Sequence, residues 1–232
     1  MPEGSVVVVG GTGGLGREIA AHYLASGSQV VVTGSTQESA DATVAELGGA
    51  ARGIGFDLSD PASIAPALSD VGPVSYLVLS SIGRDNNKVA TYSYETALKL
   101  TTMKLVGYTE TIHRLLPNLS DDSAVVLFGG RAKDRPYPGS TTVTTVNGGI
   151  SSLINALVVQ LAPIRFNAIH PGIVGDSPFW AGKPEALEDV IARTPTRKLT
   201  TMADIVHAVA FLLENPAVNG INLYVDGGWM LM

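Results

Sequence analysis

The chain has 232 residues, 45% of them hydrophobic and only 16% charged, enough for one α/β domain with a sizeable core. A net charge of −6 argues against nucleic acid and anionic membrane as partners. The absence of cysteine excludes disulfides and thiolate metal sites and fits a reducing, cytoplasmic setting. Val6–Val9 is a β-branched run of the kind buried on both faces of a sheet. Glycines follow, and then Leu15, Ile19, Tyr23 and Leu24 share a helical face. The second strand is Val30–Thr33 and the second helix Ala40–Leu47. Ile54–Phe56 begins a third strand ending at Asp57. Leu77–Leu79 and Val125–Phe128 are further buried strands, and a long helix from about Glu95 to Leu116 lies between them.

The next helix, Asn147–Leu161, repeats Ile150, Leu153, Ile154, Leu157, Val158 and Leu161 at helical spacing. Arg165–Ile169 returns as a strand. Thr201 and Asp204 have the spacing of a capping box for the helix Ile205–Leu213, and Asn222–Val225 closes the sheet. Strand–helix alternation of this kind predicts a Rossmann-type α/β fold, a doubly wound parallel sheet with helices on both faces, in one domain over 1–232. No stretch approaches the ~20 apolar residues of a membrane span. Gly172–Pro184 reads either as a mobile loop over a site or as an ordinary surface loop.

The turn after the first strand is Gly10-Gly11-Thr12-Gly13-Gly14-Leu15-Gly16. It fits both G-x-G-x-x-G and G-x-x-x-G-x-G. Under either pattern the glycines permit a tight turn, and the following helix N-terminus offers free N–H groups to a pyrophosphate. The context, a buried strand before and an amphipathic helix after, is the one the motif requires. No Lys-Ser/Thr follows, which argues against a P-loop. An NAD site wants a carboxylate at the end of the second strand, where this chain has Thr33-Gly34-Ser35-Thr36, with Glu38 and Asp41 beyond the turn. Ser35 and Thr36 suit a 2′-phosphate, and Arg17, near in sequence, is a candidate to neutralise it. The reading favours NADP, with NAD possible. Arg17 as a solvated helix residue is the alternative.

On these residues the chain resembles the short-chain dehydrogenase/reductase family along nearly its full length. Gly10, Gly14 and Gly16 match the family's glycine motif, and Asp57-Leu58 its adenine-contacting position. Ser80-Ser81-Ile82-Gly83 stands where the family has Asn-Asn-Ala-Gly. Leu161–Gly172 matches the strand into its Pro-Gly turn, and Val225-Asp226-Gly227-Gly228 its closing motif. The resemblance implies that Gly10, Thr12, Gly13, Gly14, Leu15, Gly16, Ser35, Thr36, Asp57, Leu58, Ser80, Ser81, Ile82, Gly83, Lys104, Pro171, Gly172 and Val174 contact the dinucleotide. It also implies a homodimer or homotetramer formed through the long helix, the helix near Asn147 and the apolar end Trp229–Met232.

The family's catalytic serine, tyrosine, lysine and asparagine do not carry over. Their positions hold Gly130, Val143, Asn147 and Lys104, and no tyrosine of the chain has a lysine four residues later. Lys104 shares a helical stripe with Leu100, Met103, Gly107 and Thr111. It is either an inward-facing catalytic or ribose-binding lysine with a lowered pKa, or a surface lysine whose stem covers apolar area. Asn147 is either a ribose ligand or a helix cap. Arg131 is a candidate to polarise a carbonyl or bind an anionic substrate, with Lys133 and Arg135 nearby, for which a solvated loop is the alternative. Ser81 lies at the mouth; Asp176 and Tyr137 are weaker candidates. His22, His113 and His207 read as structural, and His170 as a ribose or packing contact. Three functions follow for a small-molecule substrate: an NADP(H)-dependent oxidoreductase with altered acid–base machinery acting on a carbonyl, alcohol or enone; a silent dinucleotide-binding sensor; or a non-redox isomerase or lyase.

Overall fold

The computed structural model describes residues 2–232. Seven parallel strands form one sheet in the order β3-β2-β1-β4-β5-β6-β7. They are β1 (Ser5–Val9), β2 (Val30–Gly34), β3 (Ala51–Gly55), β4 (Val74–Leu79), β5 (Leu119–Phe128), β6 (Arg165–Pro171) and β7 (Asn222–Val225). The sequence places six of them, shortening most by a few residues because the apolar run marks the buried middle of a strand and not its ends, but it sets the third too late: expected from Ile54 to Asp57, β3 runs Ala51–Gly55, where Arg52 and two glycines mask the apolar pattern.

Alternation along the valine runs assigns the two faces. Val7, Val9, Leu77, Leu79, Val125 and Leu127 pack on one side with Ile64, Ile112, Leu115, Ile150, Ile154 and Leu157. These come from α3 (Ile64–Leu68), α5 (Tyr108–Leu115) and α6 (Thr141–Gln160). Val6, Val8, Val32, Val78 and Val126 pack on the other side with Ile19, Tyr23, Ile205, Val209 and Leu212. Those helices are α1 (Gly14–Ala25) and α8 (Met202–Glu214). The doubly wound prediction therefore holds.

Three expectations about helices need correction. The long helix is not a uniform α-helix: α4 (Tyr94–Thr101) and α5 are joined by a π-helical segment, Thr102–Gly107. Such wide turns often accompany functional sites. Helix α6 begins at Thr141, six residues before the apolar periodicity becomes visible, because Thr141, Thr142, Thr144 and Thr145 hide its first turns. Its 20 residues are also long and apolar enough to cross a membrane by length and composition, contrary to the expectation that no stretch approaches this. Here Val146, Ile150 and Ile154 are fully or almost fully buried in the core. The remaining helices are α2 (Gln37–Leu47), capped by Thr36, and α7 (Pro184–Arg193), which the sequence reading left inside and beyond a loop.

Candidate active site

A cleft of about 930 Å³ opens along the carboxyl ends of β1, β4, β5 and β6, where the strand order reverses between β1 and β4. Open α/β sheets bind ligands at this point, because adjacent loops diverge there and leave a crevice. One half of the cleft is walled by the turn after β1. Gly10 and Gly14 adopt left-handed conformations, φ +79° and +48°, that other residues rarely take. At Gly13 and Gly14 nothing lies within 4 Å of where a side chain would begin. At Gly16 a side chain would strike the Gly10 carbonyl and Ser80 Oγ, so helix α1 can approach β1 and β4 only with glycine there. The α1 N-terminus has no side-chain cap, and its free N–H groups face an open cradle. These features fit a dinucleotide pyrophosphate.

Of the residues expected from sequence to contact a dinucleotide, Thr12, Leu15, Ser35, Asp57, Leu58, Ser80, Ser81, Ile82, Gly83, Pro171, Gly172 and Val174 line the cleft, together with Thr33 and Phe56, which were not foreseen. Burial raises the Asp57 pKa, but hydrogen bonds from Ser59 and the charge of Lys99 outweigh it, so the group sits below its ordinary value. Two expectations fail at the 2′ end. Thr36 does not line the cleft: its hydroxyl accepts from Ser39 N as the cap of α2. Arg17 also points elsewhere, pairing with Glu46 at 3.0 Å and lying 3.9 Å from Glu18. What remains at the end of β2 is Gly34 and Ser35, with no carboxylate lining the wall there.

The other half of the cleft is lined by Lys104, Gly130, Val143 and Asn147, the four positions singled out from the sequence resemblance. Lys104 is 3% exposed, so the surface-lysine alternative falls. Its Nζ donates to the Phe128 carbonyl at 2.7 Å and to Tyr108 Oη at 3.0 Å, and Tyr108 in turn donates to the Ser81 carbonyl at 2.7 Å. The lysine thereby ties the π-helical segment to the ends of β4 and β5. Burial without a carboxylate partner lowers its pKa to about 7, and burial raises that of Tyr108. Two glycines let this happen. Gly107 admits the Leu58 carbonyl against the helix, and Gly149 of α6 admits the Leu105 side chain at 2.9 Å from a would-be Cβ. Tyr108 was missed in the sequence. Its signal in the sequence is the spacing Lys104-x-x-x-Tyr108, a tyrosine four residues after a lysine, the reverse of the order in the resembled family.

Asn147 is 6% exposed and lies within α6, not at its start, so the cap alternative falls. Asn147 lines the cleft, and among the described residues its side-chain amide has no hydrogen-bond partner. A Cβ on Gly130 would stand 2.7 Å from Asn147 Nδ2. The two replacements are thus sterically coupled: the asparagine fills the space that a side chain at 130 needs. Val143 also lines the cleft and presents only methyl groups.

Arg131 borders the cleft but is not free to take an anion. It lies 2.9 Å from Asp226 and 2.8 Å from Asp134, and its guanidinium is 3.9 Å from the Tyr224 ring centre. It fastens the loop after β5 to the turn after β7. Lys133 bonds Asp134 and Tyr224, and Asp176 accepts from Met202 N outside the cleft. His170 is fully buried: Gly130 N donates to its Nδ1 at 3.1 Å, which leaves Nε2–H for Asn222 Oδ1 at 2.9 Å. Burial lowers its pKa, so it is a neutral packing residue and not a ribose ligand. Among the described residues no cluster of His, Asp or Glu could hold a metal.

Residues 10–230 match a family model described as enoyl-(acyl carrier protein) reductase. L-xylulose reductase of Mus musculus is 26% identical over 235 residues, 97% of this chain and 95% of that protein. The 3-oxoacyl-(acyl-carrier-protein) reductase of Homo sapiens is 27% identical over 234 residues, 97% of each chain. A structure from Brucella melitensis described as a short-chain dehydrogenase/reductase, glucose/ribitol dehydrogenase, is 29% identical and superposes with a TM-score of 0.86 over 97% of this chain and 96% of its own. Another from Mycobacterium ulcerans reaches a TM-score of 0.90 at 21% identity, covering 99% of this chain and 90% of its own, which speaks for the fold alone. With the glycine cradle, the strand order and the full-length match in agreement, the chain belongs to the short-chain dehydrogenase/reductase family of oxidoreductases.

Proposed function

We propose that the protein is an NADP(H)-dependent oxidoreductase with altered acid–base machinery, acting on a small carbonyl or alcohol or on an enone. The observation that carries the reading is Lys104, a buried cation with a lowered pKa on the wall of the cleft. The reduced nicotinamide, when bound, supplies the hydride. The chain's own residues must position the carbonyl and deliver one proton to its oxygen. Two hydrogens of Nζ are held by Phe128 O and Tyr108 Oη, and an ammonium keeps a third to give. Once that proton is lost, the neutral amine still makes both bonds, and a proton taken up from solvent restores the ammonium for the next turnover. A group titrating near neutrality is well matched to this task, and general acid catalysis contributes about 10²–10⁴-fold. Asn147, with an uncommitted amide, would hold the nicotinamide ribose. Gly34 and Ser35 favour NADP over NAD, because no carboxylate stands at the end of β2 to repel a 2′-phosphate.

Turnover of a carbonyl and enone panel, read as loss of NADPH absorbance, tests the reading. NADPH is expected to bind more tightly than NADH. The rate should fall as pH rises through about 7, where Lys104 loses its proton, and Lys104→Ala should remove both the rate and that limb. A rate that survives Lys104→Ala with its pH profile intact would sink the assignment of the lysine. The apolar Val143 at the tyrosine position favours a second reading, a dinucleotide-binding protein without turnover. Tight NADPH binding with no oxidation across the panel would select it. We also propose a homodimer or homotetramer, supported by the exposed apolar side chains Leu98 on α4, Val106 on the π segment and Val159 on α6, 64%, 50% and 82% exposed. A monomeric mass in solution would rule this out.

A further inference from the structure

The substrate half of the cleft is one-sided in charge. Among the described residues its lining cations are Arg84, Lys104, Arg131 and Arg135, with the neutral phenol Tyr137 beside Arg84; the one carboxylate on the cleft wall, Asp57, belongs to the adenine half. Arg131 is offset by two aspartates and Lys104 is held by two oxygens. Arg84 differs from both. Among the described residues it has no carboxylate within ion-pair distance and no hydrogen-bond partner, and its guanidinium sits 3.8 Å from the ring centre of Phe179. Lys183 approaches the same ring at 4.1 Å. Arg135 lies 4.7 Å from the Trp229 ring centre and reaches the backbone oxygens of Trp229 and Met232 only at 3.4 Å. Asp85, next in the chain, is outside the cleft lining.

An arginine on an aromatic face is held in place by the ring quadrupole while its in-plane N–H groups remain available. Partial burial lowers the Arg84 pKa, yet arginine stays protonated. A guanidinium with open donors beside an apolar aromatic wall (Phe179, Trp180, Trp229) is a receptor for an oxyanion carried on an apolar body. We infer that Arg84, with Arg135 in support, forms an anion subsite and that the substrate is an apolar carbonyl or enone compound bearing a carboxylate or phosphate. This rests on the oxidoreductase reading for the reacting group, but not for the anion.

The test needs no turnover. Both tryptophans of the chain, Trp180 and Trp229, line the cleft, so their fluorescence reports binding directly. The full-length protein with saturating NADPH is titrated with 3-phenylpropanoate, its neutral amide, and phenyl phosphate. At low salt at least one anion is expected to bind about tenfold or more tightly than the amide, and the better of the two names the oxyanion. The preference should shrink at high salt, and Arg84→Gln should reduce it to about threefold or less without changing the affinity for NADPH. Arg135→Gln should reduce it in part. Equal binding of anions and amide would overturn the proposal. So would equal weakening of all three probes by Arg84→Gln, or a loss of NADPH affinity with the anion preference kept, which would return the arginine to the cofactor site. Failure of every substrate to oxidise NADPH, with the preference intact, would sink the redox reading and leave the subsite standing.

Discussion

Gly130 and Asn147 show how a substitution at one residue constrains another. A side chain at 130 is opposed not by the backbone angles but by the asparagine amide 2.7 Å from where it would start, an amide that can swing aside toward the cleft. Gly130→Ala is therefore expected to destabilise by about 1 kcal/mol or less. In an Asn147→Ala background the same change should be nearly free, giving a coupling energy of about 0.5 kcal/mol in urea unfolding. Additive effects would mean that the loop after β5 shifts and the two sites are independent. The same pair explains why restoring a serine at 130 alone is not expected to restore the family's usual site.

Among the elements, the segment from Tyr94 to Leu115 carries the most function. Its π-helical turn holds Lys104, and Gly107 at the end of that turn lets the helix close on the Leu58 carbonyl. A uniform helix would rotate the residues on one side of the turn relative to the other, so the bulge decides which face Lys104 presents. Helix α8 is the contrasting case, an element whose start is written locally. Thr201 Oγ1 accepts from Asp204 N at 3.2 Å, and Asp204 Oδ2 accepts from Thr201 N at 2.8 Å. Those bonds hold the Asp204 carboxyl below its ordinary pKa. Thr201→Ala is expected to cost about 1 kcal/mol of stability with little effect on NADPH affinity. A loss of affinity would show that α8 couples to the cleft through Val174 and its bridge to Thr200.

For the whole molecule, burying Lys104 makes stability depend on pH in a signed way. Its pKa is about 7 in the folded state against an ordinary 10.5. Between those values the unfolded chain binds a proton that the folded chain does not, so this group makes stability rise with pH across the window and contributes no slope below it. Relative to Lys104→Met, the wild-type protein should gain up to about 1.4 kcal/mol per pH unit between pH 7 and 10 in chemical unfolding. Parallel curves would place the lysine's pKa near its ordinary value. Above pH 10 the buried Tyr108 and Tyr23 act in the opposite sense, because their raised pKa values favour the protonated folded state.

The amino-acid sequence by itself determined the succession of strands and helices along the chain, the glycine turn after β1 and the capping box of α8. Each is a pattern within a few adjacent residues or a match read position by position, and local patterns survive without coordinates. Helix α6 marks the edge of that legibility, since its threonine-rich first turns carry no apolar period. Only the tertiary structure decided which polar groups meet. Arg17 pairs with Glu46 and leaves the cofactor, Arg131 is claimed by Asp226, and Arg84 finds an aromatic ring and no acid. Lys104 was a candidate from the sequence, but only the fold shows it buried, with Phe128 O and Tyr108 Oη accepting from its Nζ and Ser81 O accepting in turn from Tyr108. A side chain's charge state and availability depend on neighbours brought together across the fold, and one-dimensional spacing does not encode that distance.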